Sequence, residues 1–342
     1  MGETYERAGV SIAAGDEAVE RIREKVRSTF RPEVVGDIGG FGGLFAFDRD
    51  RFREPVLVSS TDGVGTKALV AQTTRRFTTI GIDLVAMCAD DVAAQGAEVL
   101  FFLDYIAVGR LDPALVEQLF EGVAEGCRQV GCAVVGGEIA EHPGALAPDG
   151  FDLVGFAVGV VERDKIVSGD RIRPGDAVIG LPSTGLRSNG YSLARRVLLE
   201  LAGRSLDDPA WPGAHHSLAD ELLRPSVIYA PALNALCRAM PVSGLAHVTG
   251  GGLPGNVARI LPRTCDAVVR RGSWDVPEIF REIQRLGEVS DEEMSRVFNL
   301  GIGMVAVVPP EEVFRAHDVL RSHGVESVDI GEVVPGEGTV RS

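Results

Sequence analysis

Ser59-Ser60-Thr61-Asp62-Gly63-Val64-Gly65-Thr66-Lys67 closes an apolar run that opens at Pro55, and its reading sets the fold class. The run from Pro55 to Thr61 reads as a strand. It delivers an acid, Asp62, into a turn that holds Gly63 and Gly65 and ends in Thr66-Lys67. An acid at a strand end can hold a metal, the glycines let backbone N–H groups face phosphate, and Lys67 can neutralise charge. The spacing is not the G-x-x-x-x-G-K-[ST] of a Walker A loop, and no G-x-G-x-x-G dinucleotide fingerprint is present here. Taken alone, Asp-Gly-Val-Gly-Thr is also an ordinary tight turn.

Working outward, strand and helix signals alternate. Upstream lie an amphipathic helix candidate from Asp16 to Ser28 and the glycine-rich loop Gly36 to Gly43. Downstream, Thr79 to Gln95 reads as a helix and Val99 to Val108 as a buried strand. Asp112-Pro113 starts a helix that ends at Gly131, with an N-cap, a first-turn proline and a C-terminal glycine. Cys132 to Val135 and Phe151 to Val161 complete a strand-rich first half. From Glu162 to Asp176 the texture turns charged, with Gly169, Pro174 and Gly175, and a domain boundary falls there. The second half mixes strands at Ala177 to Leu181, Leu245 to Val248 and Gly303 to Val308 with helices at Tyr191 to Leu201, Ser226 to Met240 and Pro310 to His323. The expectation is two α/β or α+β domains, 1–168 and 169–342.

Composition narrows the function classes. A chain of 342 residues with 45% hydrophobic and 24% charged residues fits a two-domain globular protein. A net charge of −15 supplies no basic field for a nucleic-acid backbone, while small anionic substrates can still be held by helix N-termini and metal ions. The five cysteines show no CxxC spacing and read as reduced core residues of a cytoplasmic protein. No uninterrupted apolar stretch of about 18 residues suggests a membrane span.

The chemistry-bearing residues cluster around strand ends. Asp83, Asp90 and Asp91 sit in an otherwise apolar helix at spacings of seven and eight, so all three carboxylates can share a face. Uncompensated carboxylates repel one another, and a bound Mg2+ relieves that repulsion. Asp104 interrupts the apolar strand Leu100 to Ala107, which calls for either a salt-bridge partner or a site. Glu138 follows Val134-Val135-Gly136-Gly137, another strand end feeding a glycine pair. Asp62, Asp91 and Glu138 are therefore expected to converge as an all-oxygen Mg2+ site of the kind used in phosphoryl transfer.

In the second half, Ser183 to Gly190 carries hydroxyls, an amide and Arg187, with Ser188-Asn189-Gly190 leading into a helix. His247-Val248-Thr249-Gly250-Gly251-Gly252 leads into another, and three consecutive glycines expose a run of N–H groups suited to phosphate. Capped helices are the simpler reading of either loop; two such loops in one domain favour a phosphorylated substrate. His247 is a proton-transfer candidate beside the more ordinary role of a hydrogen-bonded strand residue.

These residues, in this order, resemble the phosphoribosylformylglycinamidine cyclo-ligase family of purine biosynthesis, from Tyr5-Glu6-Arg7-Ala8-Gly9-Val10 nearly to Ile330-Gly331-Glu332. Its most specific stretches are Thr61 to Lys67, Gly81 to Cys88, Gln95 to Glu98, Phe101 to Tyr105, Ser188 to Ser192 and Thr249 to Gly252. The resemblance implies an α/β two-domain protomer and a homodimer whose N-terminal domains join their sheets into a barrel. It implies ATP held with Mg2+ by Asp62, Asp91 and Glu138, with Gly63, Gly65, Thr66 and Lys67 near the phosphates and Gly40, Phe41 and Gly42 in a lid. Asp104, His247, Lys67 and Arg187 are the candidate catalytic residues. Ser188, Asn189, Gly190 and Thr249 to Gly252 would hold the ribose 5-phosphate of the substrate. The reaction implied is ATP-dependent closure of an imidazole ring. The chain departs from the family pattern at Asp90 (an Asn in the family), Ile139 (Thr), His142 (Met) and Arg187 (His). The alternatives are a sister synthetase or kinase of the same superfamily and a catalytically silent nucleotide-binding paralogue.

Overall fold

A computed structural model describes residues 3–341, which form two compact units. The first comprises the chain up to Val92 together with Val99–Glu162; the second comprises Ala93–Glu98 and the chain from Arg163 onward.

The first unit opens with helix α1 (Ile12–Arg27), one turn earlier than the expected Asp16 start. Ser11 explains the difference: its side chain accepts the Ala14 N–H at 3.2 Å and caps the helix. Two short strands, β1 (Val34–Val35) and β2 (Leu44–Phe45), pair antiparallel and bracket the glycine loop. Strand β3 (Pro55–Gly63) then leads through Gly65, at φ +58°, into α2 (Lys67–Thr74). Lys67, expected as the last residue of the turn, is instead the first residue of a helix.

Helix α3 (Ile80–Ala93), strand β4 (Glu98–Val108), α4 (Pro113–Val130), β5 (Ala133–Glu141) and β6 (Phe151–Glu162) complete the unit. The caps expected for α4 are present: Asp112 accepts from the Ala114 N–H, and Gly131 takes the left-handed conformation at φ +78°. A Cβ at Gly81 of α3 would overlap the α4 backbone, so glycine lets the two helices touch main chain to main chain.

The sheet order is β3-β6-β4-β5, with β3 antiparallel to β6 and β4 parallel to β5. Ser60, Asp62, Asp104 and Ile106 lie on the helix-covered side, whereas Leu57, Phe156 and Tyr105 are exposed on the other.

The second unit is built on β7 (Ala177–Pro182), α5 (Tyr191–Arg195), α6 (Leu218–Leu222), α7 (Ala230–Ala239), β8 (Gly244–His247), α8 (Gly252–Val257) and β9 (Cys265–Val269). It continues with α9 (Glu278–Gly287), α10 (Asp291–Val297), β10 (Ile302–Val308), α11 (Val313–Ser322), β11 (Val328–Pro335) and β12 (Val340–Arg341). The helix expected over Tyr191 to Leu201 passes at Arg196 into a π-helical turn, where Ala202 N–H reaches back five residues to the Val197 carbonyl.

The second unit's strands form one mixed sheet in the order β12-β9-β11-β7-β10-β8. Every residue of β10 is buried, as its unbroken apolar run requires of a strand covered on both faces. No helix among the described residues is long and apolar enough to cross a membrane.

Candidate functional site

In the first unit, β3 and α3 bring oxygen ligands together. Ser60 Oγ donates to Asp91 Oδ2 at 3.0 Å, which ties α3 to the β3 edge, and the Gly63 N–H bonds Asp62 Oδ1 at 2.8 Å. Cys88, one helical turn before Asp91, lies beside both acids. Burial first, and the charges of Asp62 and Asp91 next, push its thiol well above the ordinary range, and the Asp62 backbone hydrogen-bonds it. Two carboxylates therefore flank one sulfur and one hydroxyl. The oxygens of this group, and not the protonated thiol, suit a hard cation such as Mg2+, which binds through one or two carboxylates plus substrate phosphates.

The other expected members of this group lie elsewhere. Asp83 and Asp90 are fully buried, and Asp83 Oδ2 pairs with Lys67 Nζ at 2.6 Å inside the protein. Lys67 is thus a core residue sealed against an acid, not a side chain extended from the turn toward phosphate. Glu138 sits on β5, at the opposite edge of the sheet from β3, with β6 and β4 between. At the usual strand spacing that is roughly 14 Å, so one protomer does not gather Asp62, Asp91 and Glu138. No cluster of three or more His, Cys, Asp or Glu side chains suited to a metal occurs among the described residues.

On the β5 side, the glycine loop roofs a cavity of about 400 Å³. Gly40, Phe41 and Gly42 line it, together with Glu138 and apolar residues of α1. The loop is anchored by Asp37, which pairs with Arg27 at 2.5 Å and is held below the usual carboxylate range first by that guanidinium. Asp104 lines the same cavity. No ion pair to it exists among the described residues, and burial pushes its carboxyl up to about 7 against the pull of its own backbone N–H.

In the second unit, the two glycine-bearing loops meet. Asn189 Oδ1 accepts the Gly250 N–H at 3.1 Å, so Ser188-Asn189-Gly190 and Thr249-Gly250-Gly251-Gly252 form one surface. Asn256 shapes the triple glycine, its amide donating to the carbonyls of Gly252 at 2.8 Å and of Thr249 and Gly250 at 3.3 Å. Gly251 and Gly252 take φ of +98° and +62°, angles that turn successive N–H groups into a concave nest. Ser188 Oγ is buried with no hydrogen-bond partner in the protein, a hydroxyl that a bound anion would satisfy.

Arg187 does not join this surface. Its side chain is 2% exposed, donates to the Gly303 carbonyl at 3.0 Å and the Val227 carbonyl at 3.3 Å, and stacks on the Tyr229 ring at 4.8 Å. It braces the loop from beneath, at a backbone φ of +62°. His247 is likewise buried, on β8 opposite Met304 of β10. Sequence reasoning missed Ser60, Asn256 and Asn299. Asn299 holds the Ser183 hydroxyl at 2.9 Å and the Gly185 and Leu186 carbonyls at 2.9 and 3.3 Å. A single polar residue inside a strand or helix, or just before a strand, carries no spacing pattern that would mark its long-range partner.

Comparison with known proteins agrees across the chain. Residues 51–161 match the family described as AIR synthase related protein, N-terminal domain, and residues 173–342 match its C-terminal domain. The phosphoribosylformylglycinamidine cyclo-ligase of Citrifermentans bemidjiense is 55% identical over 90% of this chain and 88% of its own. That of Myxococcus xanthus is 51% identical over 99% of this chain and 98% of its own. Among solved structures, thiamine-monophosphate kinase from Stenotrophomonas maltophilia has a TM-score of 0.69 at 18% identity, covering 94% of this chain and 95% of its own. The hydrogenase maturation protein HypE, in complex with ATP, has a TM-score of 0.62 at 20% identity, covering 94% and 90%. These two show the fold alone. The identity to the curated relatives, sustained over both units, makes the chain a member of the phosphoribosylformylglycinamidine cyclo-ligase family.

Proposed function

We propose that this protein closes the imidazole ring of 5-aminoimidazole ribonucleotide from formylglycinamidine ribonucleotide, with ATP and Mg2+. The observation that carries the reading is the oxygen set of Asp62, Ser60 and Asp91, gathered beside Cys88 at the β3 edge. Asp62 and Asp91 would hold the magnesium, which screens phosphate charge when bound. The joined loops at Asn189 and Gly250, with the orphaned Ser188 hydroxyl, would hold the ribose 5-phosphate.

In the chemistry, the formyl amide oxygen attacks the γ-phosphorus of ATP, and ADP leaves. The amidine nitrogen then attacks the activated carbon, the phosphate departs with the former amide oxygen, and a proton is lost as the ring becomes aromatic. Both arms belong to one molecule, so anchoring its phosphate makes closure effectively unimolecular.

The first unit's sheet supports a homodimer. Its open face exposes Leu57, Phe156 and Tyr105, and its edge strands β3 and β5 have no further partner strand among the described residues. Joining the β3 edge of one copy to the β5 edge of another would close a barrel over that face. The same joining would carry Glu138 of the partner subunit toward Asp62 and Asp91.

Incubation with formylglycinamidine ribonucleotide and Mg-ATP tests the activity. Aminoimidazole ribonucleotide should form with one ADP and one phosphate per turnover. Folded protein that yields no product overturns the assignment.

A further inference from the structure

We propose that the second unit carries a further small-molecule site, a cavity behind the joined Asn189 and Gly250 loops that takes a small aromatic acid and acts through α10 on those loops. The cavity measures about 270 Å³ and lies wholly within that unit. A dry cavity of about 150 Å³ already admits benzene, so this one has room for a fused bicyclic ring. Its walls are those of a ring site. Phe280 of α9 and Phe298 lie with ring centres 5.7 Å apart and planes tilted by 58°, beside Met294 of α10 and Leu253 of α8. Trp274 is fixed among them, its Nε1 donating to the Leu300 carbonyl at 2.8 Å.

One side is closed by the chain's own C-terminal strand. Val340 of β12 lines the cavity, and Asp266 holds that strand: its Oδ1 accepts the Glu337 and Thr339 N–H groups at 2.8 Å each, and its Oδ2 pairs with Arg341. The exposed rim is cationic in a protein of net charge −15. Arg271 and Arg281 lie there, and the acid beside them, Asp291, is engaged by Gln284 Nε2 at 2.5 Å and by the first turn of α10. Arg281 pairs with Glu278 at 3.2 Å on the surface, a bond weak enough to yield to a ligand carboxylate. Apolar rings inside and guanidinium groups at the rim complement an aromatic carboxylate. The inner wall is shared with the substrate loops. A Cβ at Gly190 would overlap the Phe298 ring and one at Gly252 the Ser295 carbonyl, so both loops rest directly on residues that a ligand would press.

Isothermal titration calorimetry of the full chain with 2-naphthoate, and with its uncharged isostere 2-naphthamide, tests the site. The acid should bind about fivefold or more tightly than the amide. Arg271→Gln combined with Arg281→Gln should bring the two ligands to within about twofold of each other. Both changes lie on the surface, where folding tolerates them. Val276→Phe, which fills the cavity, should weaken acid and amide alike by about tenfold or more. Saturating 2-naphthoate should change the KM for formylglycinamidine ribonucleotide by about threefold or more and leave the KM for ATP alone.

No binding of either ligand, equal affinity for acid and amide, or affinity indifferent to Val276→Phe overturns the site. An unchanged KM for the ribonucleotide in protein saturated with the acid overturns its action on the loops. That action rests on the reaction proposed above, whereas binding is read without turnover. Protein that binds the acid as described yet forms no aminoimidazole ribonucleotide therefore keeps the site and loses the reaction, and the coupling with it. Protein that forms product and binds neither ligand does the reverse.

Discussion

Lys67 Nζ lies 2.6 Å from Asp83 Oδ2, and neither side chain is reached by solvent. The pair joins the first residue of α2 to the first turn of α3, the two helices that follow the β3 turn. Removing one partner leaves a buried charge uncompensated, which costs about 3–5 kcal/mol, whereas replacing both with apolar groups is often neutral. Lys67→Met and Asp83→Leu should each lower the urea midpoint sharply, and the double variant should recover most of the loss. A single Lys67→Met variant of normal stability with a raised KM for ATP would return Lys67 to the phosphates.

Asp91→Ala should reduce turnover by about a hundredfold or more and shift the Mg2+ dependence to higher concentration, because it removes one of two carboxylates beside Ser60. A Mg2+ titration of the rate checks this. Near-normal rates at all Mg2+ concentrations would exclude Asp91 as a ligand.

Arg187→Ala should act on stability before it acts on substrate. Two carbonyls lose their donor and the Tyr229 ring loses its cation, a cost of about 2–4 kcal/mol. Thermal unfolding reads this directly. Unchanged stability with a raised substrate KM would instead turn the guanidinium toward the ligand.

Asn256→Ala should raise the KM for the phosphorylated substrate about tenfold or more while leaving ATP affinity alone. One amide holds three carbonyls of the Thr249–Gly252 turn, and without it the nest loses its shape. Steady-state kinetics with each substrate varied in turn separates the two effects.

The Asp104 carboxyl is raised by burial from the ordinary carboxylate range to about 7. In the folded state it stays protonated where the unfolded chain has already released its proton. Its contribution to stability is therefore complete below the unfolded value and is lost as pH rises toward 7, an effect of order 4 kcal/mol. Nucleotide-free Asp104→Asn should be more stable than wild type at pH 8, with the difference shrinking at pH 5. Urea unfolding at the two pH values tests it, and an equal difference at both would contradict the shift.

Local chemistry was written in the sequence where neighbours along the chain supply the partners. The α4 limits follow from Asp112, Pro113 and Gly131, and the β3 strand with its glycine turn follows from Pro55 to Gly65. The family was legible because its motifs are runs of consecutive residues. Tertiary structure decided which charged groups are consumed inside the protein. Lys67 and Asp83 are 16 positions apart and Ser60 and Asp91 are 31 apart; only the packing of α2, α3 and β3 makes the first a core ion pair and joins the second by a hydrogen bond at the β3 edge. Glu138 and Asp62 look alike as acids beside glycines, yet strand order sends them to opposite edges of one sheet. Arg187 turned inward because carbonyls from β10 and from residue 227 were there to receive it. Spacing names the residue types that can do the chemistry. The long-range contacts of the folded chain decide which of them are consumed by the core and which remain for substrate.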